Sequence, residues 1–408
     1  MSFFSAQEQQ AATLREATLM SRLSDFLCFA QESSDYYHRV LANIDLSQIN
    51  SRSALAALPI TRKSDLIKLQ AANMPFAGMV PNMSGVGRVF QSPGPIYEPE
   101  ADGHDWWRMG QAFFAAGFRA GDLVQNCLSY HLTPGGFIMD SGAKACGCSV
   151  IPAGPGQTEM QLDIIHNLQP NSYCGTPSFL KILLDKAKLQ QQGPLPFSKA
   201  LVTGEALTPA LKAVFDEADI EVKQAYATAD IGLIAFESVA DAGLVVAEDI
   251  ILEIVRPGSL APVKRGEVGE VVITSFNPNY PLIRFATGDL SAQLDSPSDC
   301  GRTNMRIKGW LGRADQTTKV KGLFIHPEQV ERVRLYHSAI QRVRLVVCSE
   351  NDNDKMCLLC EVDDNVRLNI DIVAIQQSIR AVTQLSSDVS LVAIGSMLDD
   401  GIVIEDQR

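Results

Sequence analysis

The 408-residue chain sets 35 Lys and Arg against 47 Asp and Glu, for a formal net charge of −12 and a pI near 5.0. Without a basic patch to neutralise many phosphates, nucleic acid is excluded as the main partner, although local donors can outweigh the global sign and hold a small anion. The length is too great for one small core and fits two domains of unequal size.

Hydrophobic residues at 46% and charged ones at 20% are ordinary for a soluble globular enzyme. Nine cysteines, an odd number scattered without a framework, point to a reducing compartment. Cys146 and Cys148 lie in an apolar, glycine-rich run and read as small buried thiols. Cys357 and Cys360 have metal-like spacing but fall in a strand pattern, where side chains alternate faces and the two thiols point apart. No second ligand pair accompanies them, so no structural zinc is expected. With no charged-then-apolar N-terminal signal and no apolar run of about 18 residues, the expectation is a soluble, cytoplasmic protein without membrane contact.

In chain order, residues 6 to about 50 read as helix, with Leu14, Ala17, Met20, Leu23, Leu27 and Ala30 recurring at threes and fours. Pro59 closes that segment, and Thr61 is placed to cap a short helix from Lys63 to Leu69. From about 105 to 275 helix and strand alternate. Trp106 to Phe118 is helix-like, Asp122 to Tyr130 leads into a strand, and Gly135 to Cys146 is a small-residue helix. Ser149 to Pro152, Tyr173 to Thr176 and Ala200 to Thr203 read as strands, with helices at Leu162 to Leu168, Pro177 to Leu189 and Pro209 to Glu217. This alternation indicates βαβ units on a parallel sheet, with sites at the carboxyl ends of the strands, where Gly175-Thr176, Gly204-Glu205 and Tyr226 fall. From about 245 to 290 the pattern turns to β meander, and a βαββα-like order follows from Val320. The fold class is therefore α/β: a large N-terminal domain over 1–312, with parallel-type sheets and a β-meander subdomain, and a small α+β lid over 313–408.

Three runs between Leu282 and Glu331 carry the chemistry. Leu282-Ile283-Arg284-Phe285-Ala286-Thr287-Gly288-Asp289 is a β-branched and aromatic run that stops in a sharp turn and leaves a carboxylate on a rim. Gly312-Arg313-Ala314-Asp315 and Lys321-Gly322-Leu323-Phe324-Ile325-His326-Pro327-Glu328-Gln329-Val330-Glu331 follow. A carboxylate and a guanidinium brought together suit a ribose: Asp accepts from two hydroxyls and Arg donates in a planar fork. Each run alone is equally a turn and a surface ion pair; their joint order and spacing narrow the choice.

These runs resemble the phenylacetate–CoA ligase family of the adenylate-forming superfamily, and the resemblance covers nearly the whole chain. Leu58-Pro59-Ile60-Thr61-Arg62-Lys63-Ser64-Asp65-Leu66 is similar to the family's early Leu-Pro-x-Thr-x-Lys-x-Asp-Leu, and Gly204-Glu205, Tyr226 to Asp230, Thr287 to Asp289 and Gly312 to Asp315 follow in family order. The resemblance implies an N-terminal helical layer, ATP, Mg²⁺ and CoA as cofactors, a small carboxylic acid as partner, and a homodimer. Gly204, Glu205 and Tyr226 would meet the nucleotide, Asp230 would hold Mg²⁺ as a hard-oxygen ligand and serve catalysis, and Asp289 and Arg313 would take the ribose. Asp315 matches the hinge on which the lid swings. Lys321 reads either as the family's catalytic basic residue or as a solvated strand residue. Gly175 and Thr176 resemble the acyl-pocket lining, with Tyr130 and His131 beside them; His131 also reads as a satisfied polar residue.

Two stretches depart from the pattern. Where the family carries a Ser-Ser-Gly-Thr-Thr-Gly-Lys-Pro phosphate loop, this chain has Ser92-Pro93-Gly94-Pro95-Ile96-Tyr97-Glu98-Pro99. Three prolines remove N–H donors, and Glu98 puts a negative charge where a positive one is expected, so the loop should be stiff and repel a triphosphate. The family's C-terminal lysine has no counterpart either, since no lysine follows Lys355. A cation lost at about 4 Å is worth about 4 kcal/mol at an effective dielectric of 20, or roughly a thousandfold in rate. No metal site is expected after the tyrosine motif, where Phe236-Glu237-Ser238 and Gly243-Leu244-Val245 bring neither Cys nor His. Three functions stay in view: an AMP-forming acid–thiol ligase for a small, aromatic or otherwise compact, carboxylic acid; a degenerate relative that binds nucleotide, acyl-adenylate or a partner protein; and an adenylating biosynthetic enzyme with a non-CoA acceptor. Asp289, Arg313, Asp315 and Lys321 favour the first, because a scaffold needs neither a ribose acid nor a swinging hinge.

Overall fold

The computed structural model describes residues 3–407 apart from 94, 192, 240–241, 296–297, 321–322, 351–352 and 399–401. The chain divides into two compact units, Met1–Thr287 with Ala292–Trp310, and Gly288–Ser291 with Leu311–Arg408.

In the first unit, short apolar runs form a parallel half-sheet in the order Ser149–Pro152, Leu123–Asn126, Ser172–Gly175, Lys199–Val202, Glu221–Thr228. Helices Gly135–Ala145, Thr158–Leu168, Pro177–Leu189 and Pro209–Glu217 connect its strands. Thr176 and Thr208 cap two of them with their hydroxyls, each followed by Pro at the first turn. The sheet continues through Gly232–Glu237, Leu244–Val246, Arg306–Ile307 and Leu282–Leu294, each antiparallel to its predecessor, and ends with Val268–Ser275 and Ile250–Val255.

Helix Ala12–Ser33 packs on this unit through Leu19, Leu23, Leu27 and Ala30, and each such leucine gains about 1.5–3 kcal/mol from burial. The apolar stripe differs from the one read off the sequence: Leu14 and Ala17 face solvent, and Arg15 is buried against Glu248 at 3.2 Å. An ion pair at an inward position hides from a hydrophobicity pattern. The continuous helix expected over residues 6 to 50 is also broken, because Ser34 caps a new helix, Asp35–Val40. Thr61 caps nothing; it lies in a two-residue strand paired with Phe285 and shares a hydrogen bond with Tyr36 Oη at 2.9 Å. Helix is confined to Gly110–Ala115 in the expected 106–118 stretch, since Asp105 and Arg108 take left-handed backbone, φ 52° and 63°.

The second unit is built on a four-stranded sheet. Ile340–Glu350 and Asn353–Val362 form an antiparallel pair, flanked in parallel by Ile404–Asp406 and Asp388–Ala393 respectively. Helices Pro327–Tyr336 and Ile372–Thr383 close its core through Val330, Val333, Ile375 and Ile379. The two flanking strands were not legible, being short and weakly alternating. Among the described residues no helix is long and apolar enough to cross a membrane.

Candidate functional site

Within the second unit, Arg313 stands opposite Asp289 as an isolated antiparallel bridge. Its register is set by the Leu290 N–H donating to Gly312 O at 2.8 Å and the Leu311 N–H donating to Leu290 O at 2.9 Å. The Arg313 Nη1 lies 3.3 Å from Asp289 Oδ1, with side-chain exposures of 38% and 11%. The carboxylate is thus held inside while its guanidinium reaches solvent. Gly288 makes this possible: its φ is +78°, and a Cβ there would stand 2.7 Å from Arg313 Nη2. The strand does not stop at Thr287-Gly288-Asp289, as its sequence implies, but runs on to Leu294. One left-handed glycine absorbs the kink while the ladder continues.

Upstream the same strand is pinned by Arg284, which is fully buried. It contacts Glu253 at 3.0 Å and donates to the carbonyls of Ala56, Leu58 and Leu260. Burial pushes the Glu253 carboxyl up, and the Arg284 charge opposes that shift. Tyr226 donates its hydroxyl to Thr287 Oγ1 at 3.3 Å, and Thr287 donates to Val271 O at 3.1 Å. The sequence pointed to Tyr226; the anchoring role of Arg284 was missed.

Gly204 and Glu205 follow strand Lys199–Val202 and are exposed, with Glu205 Oε2 accepting from the Ser178 N–H at 3.3 Å. Asp230 is different. It is 3% exposed, and its Oδ2 holds the Lys63 ammonium at 2.5 Å. Lys63 stood in a family motif with no role attached to it.

The expected phosphate loop, Ser92 to Pro99, falls across a hairpin of Val86–Ser92 with Ile96–Ala101, its Gly94 lying outside the described residues. Gln70 fastens it through both backbone groups of Tyr97, at 2.8 and 2.9 Å. Glu98 points inward, 1% exposed, and accepts from Ser92 Oγ. Burial, and then the nearby Asp230 charge, push its carboxyl up to about 8. The negative charge expected to repel a triphosphate is therefore absorbed inside, largely as the neutral acid at pH 7.

A divalent cation on Asp230 needs free hard-oxygen donors. Asp230 Oδ1 and Glu98 Oε2 are buried without a hydrogen-bond partner, which speaks for a missing ligand. Against it, Lys63 already neutralises Asp230, and no group of three His, Cys, Asp or Glu converges as a ligand set among the described residues. As placed, these residues do not fit a resident metal.

A cavity of about 250 Å³ opens at the strand ends of the first unit, lined by Leu128, Thr133, Ile138 and Met139, by Thr203, Gly204 and Ala227, and by Ser92 and Pro93 of the hairpin. None of Tyr130, His131, Gly175 and Thr176 lines it. Tyr130 accepts from Asn126 Nδ2 at 2.7 Å and seats its ring on Gly136, where a Cβ would lie 2.7 Å from it. Thr176 caps its helix, Gly175 packs on the Tyr173 hydroxyl, and His131 is exposed. Helix Gly135–Ala145 contributes Gly135, Ile138 and Met139 instead, and its small residues advertised a helix but not a pocket. Asp315 lies in a single 3₁₀ turn, Ala314–Gln316, with its side chain outside the described set, and Lys321 falls outside the described residues altogether.

No family model matches the chain. The chain is 29% identical over 361 residues to a phenylacetate–coenzyme A ligase of Thermus thermophilus, covering 84% of this chain and 80% of that one. It is 28% identical over 336 residues to the phenylacetate–coenzyme A ligase of Escherichia coli, covering 78% and 75%. Among solved structures, a 2-hydroxyisobutyryl-CoA ligase in an open conformation, in complex with 2-HIB-AMP and CoA, superposes with a TM-score of 0.83 over 98% of this chain and 93% of that one, at 23% identity.

Proposed function

We propose, for a chain that belongs to the phenylacetate–CoA ligase family of adenylate-forming enzymes, that it is an AMP-forming acid–thiol ligase acting on a compact carboxylic acid. A carboxylate oxygen attacks the α-phosphorus of ATP, forming a C–O–P anhydride as the bond to the bridging oxygen breaks and pyrophosphate leaves. A thiol sulfur, that of CoA in this reading, then attacks the acyl carbon. The C–S bond forms, the C–O bond to AMP breaks, and the thiol proton passes to solvent or the released phosphate.

The Asp289–Arg313 pair carries the reading, because a buried carboxylate with an outward guanidinium is built to receive two vicinal hydroxyls. Tyr226 and Gly204-Glu205 are assigned to the base side of the nucleotide. Lys321 is assigned as the basic residue of the lid and Asp315 as its hinge. Mg²⁺ enters with ATP as part of the substrate. A neutral, inward Glu98 removes the charge barrier that the sequence implied for the hairpin.

Pyrophosphate release from ATP, with a panel of aryl and short acyl acids, tests the reading. Release with at least one acid, and AMP formed in step with thioester when CoA is added, supports it. A second reading, a degenerate relative that binds nucleotide without turning it over, is favoured by Lys63 closing on Asp230. Calorimetric ATP binding with no release for any acid would establish that second reading instead.

A further inference from the structure

We propose that the acid accepted by this cavity is a short aliphatic one, and that Ile138 and Met139 set its length; this deepens the ligase reading and rests on it. Three observations carry it. The cavity, about 250 Å³, lies below the roughly 300–1,000 Å³ of pockets that hold drug-sized ligands. Part of its wall, Thr203, Gly204 and Ala227, belongs to the side assigned to the nucleotide, so the acyl group has only the remainder. No aromatic ring lines it.

Rings are close by in the same region but are committed to one another. Tyr130 packs edge-on against Phe137 with centroids 5.1 Å apart, Phe137 meets Phe90 at 5.4 Å, and Phe90 meets Trp107 at 6.1 Å. The Tyr130 hydroxyl is held by Asn126, so the ring cannot turn inward without losing that bond. An aryl acid would find none of the edge-to-face partners that favour an aromatic guest. Leu128, Ile138 and Met139 instead offer an aliphatic part of the wall, beside the hydroxyl-bearing Ser92, Thr133, Thr203 and Thr228. No charged side chain lines the cavity, so a second carboxylate or an amine on the acid would find no ion-pair partner there.

The test is pyrophosphate release by the full-length protein with propionate, isobutyrate, isovalerate and hexanoate against benzoate and phenylacetate. The expected result is a kcat/KM at least tenfold higher for one of the short aliphatic acids than for either aryl acid. Met139→Ala should then move the optimum to a longer chain, with ATP affinity unchanged. Should that variant unfold on heating well below the wild type, Ile138→Val gives the same shift in smaller measure. Equal or higher kcat/KM with the aryl acids would overturn the inference and leave the ligase reading standing. No release with any acid fails the ligase reading, and this inference with it.

Discussion

Asp289 meets Arg313 across 24 residues of chain, and Asp230 meets Lys63 across 167. Both pairs join a carboxylate to a cation, yet their surroundings are opposite. Arg313 keeps 38% of its side chain in solvent, and its contact with Asp289 is 3.3 Å. The Asp230 side chain has no exposure and Lys63 sits on it at 2.5 Å, with a neutral carboxyl, Glu98, alongside. An open pair of this kind contributes little to stability. A closed pair is strongly coupled to the fold, because removing one partner strands the other in low dielectric.

The largest effect should come from breaking the closed pair. Lys63→Met leaves Asp230 buried without its cation, and unfolding in urea should register a loss of about 3 kcal/mol. The double variant Lys63→Met/Asp230→Leu should recover most of it, since a matched apolar pair avoids the desolvation cost. A loss under about 0.5 kcal/mol for the single variant would mean that Asp230 and Lys63 form an ordinary surface contact.

Asp289→Ala should do the reverse. Nucleotide affinity should fall by about 2 kcal/mol, roughly thirtyfold, through loss of charge-assisted hydrogen bonds, while the urea midpoint hardly moves. Titration calorimetry with ATP decides it. Unchanged affinity would reassign Asp289 to the strand's own architecture.

The contrast between the two pairs was only half legible in the sequence. The Thr-Gly-Asp and Gly-Arg runs announced the first pair, because a glycine forced into left-handed backbone and an acid beside it leave a short, local signature at Gly288-Asp289. Elements with strong local cues, such as Pro177–Leu189 and Pro209–Glu217 behind their Thr-Pro starts, were readable to their ends. The second pair has no local signature. Lys63 reaches Asp230 only after the sheet has formed, and Glu98 reads as a surface acid until a hairpin turns it inward. Arg15 and Arg284 escaped for the same reason, since a buried cation is recognisable only beside Glu248 or Glu253. The cavity wall at Ile138 and Met139 is likewise a property of packing rather than of pattern.

Glu98 sharpens the comparison through pH. Its folded value, about 8, lies above the ordinary 4.5 because of burial and Asp230. The folded protein therefore binds a proton that the unfolded chain releases, and stability from this group is full below about pH 4.5 and lost as pH rises through 8. Glu98→Gln keeps the shape and removes the titration. The variant should gain on the wild type at pH 9, by about 2 °C or more in Tm, and lose that advantage at pH 5. Parallel melting curves for the two proteins at both ends of the range would show Glu98 to be solvated.

Arg313→Lys isolates the smallest difference. The positive charge stays near Asp289, but the planar fork that can hold a carboxylate and two hydroxyls at once is replaced by a flexible ammonium. Stability should shift by no more than about 0.5 kcal/mol, because the pair is open. Nucleotide affinity should drop by about 1 kcal/mol, a factor of roughly five. Deoxyribose analogues of ATP supply the control: they should show a smaller penalty for the lysine than ATP itself, since part of the fork's work is done on the missing hydroxyl. Equal penalties would put Arg313 on the phosphate side of the nucleotide and leave the ribose to Asp289 alone.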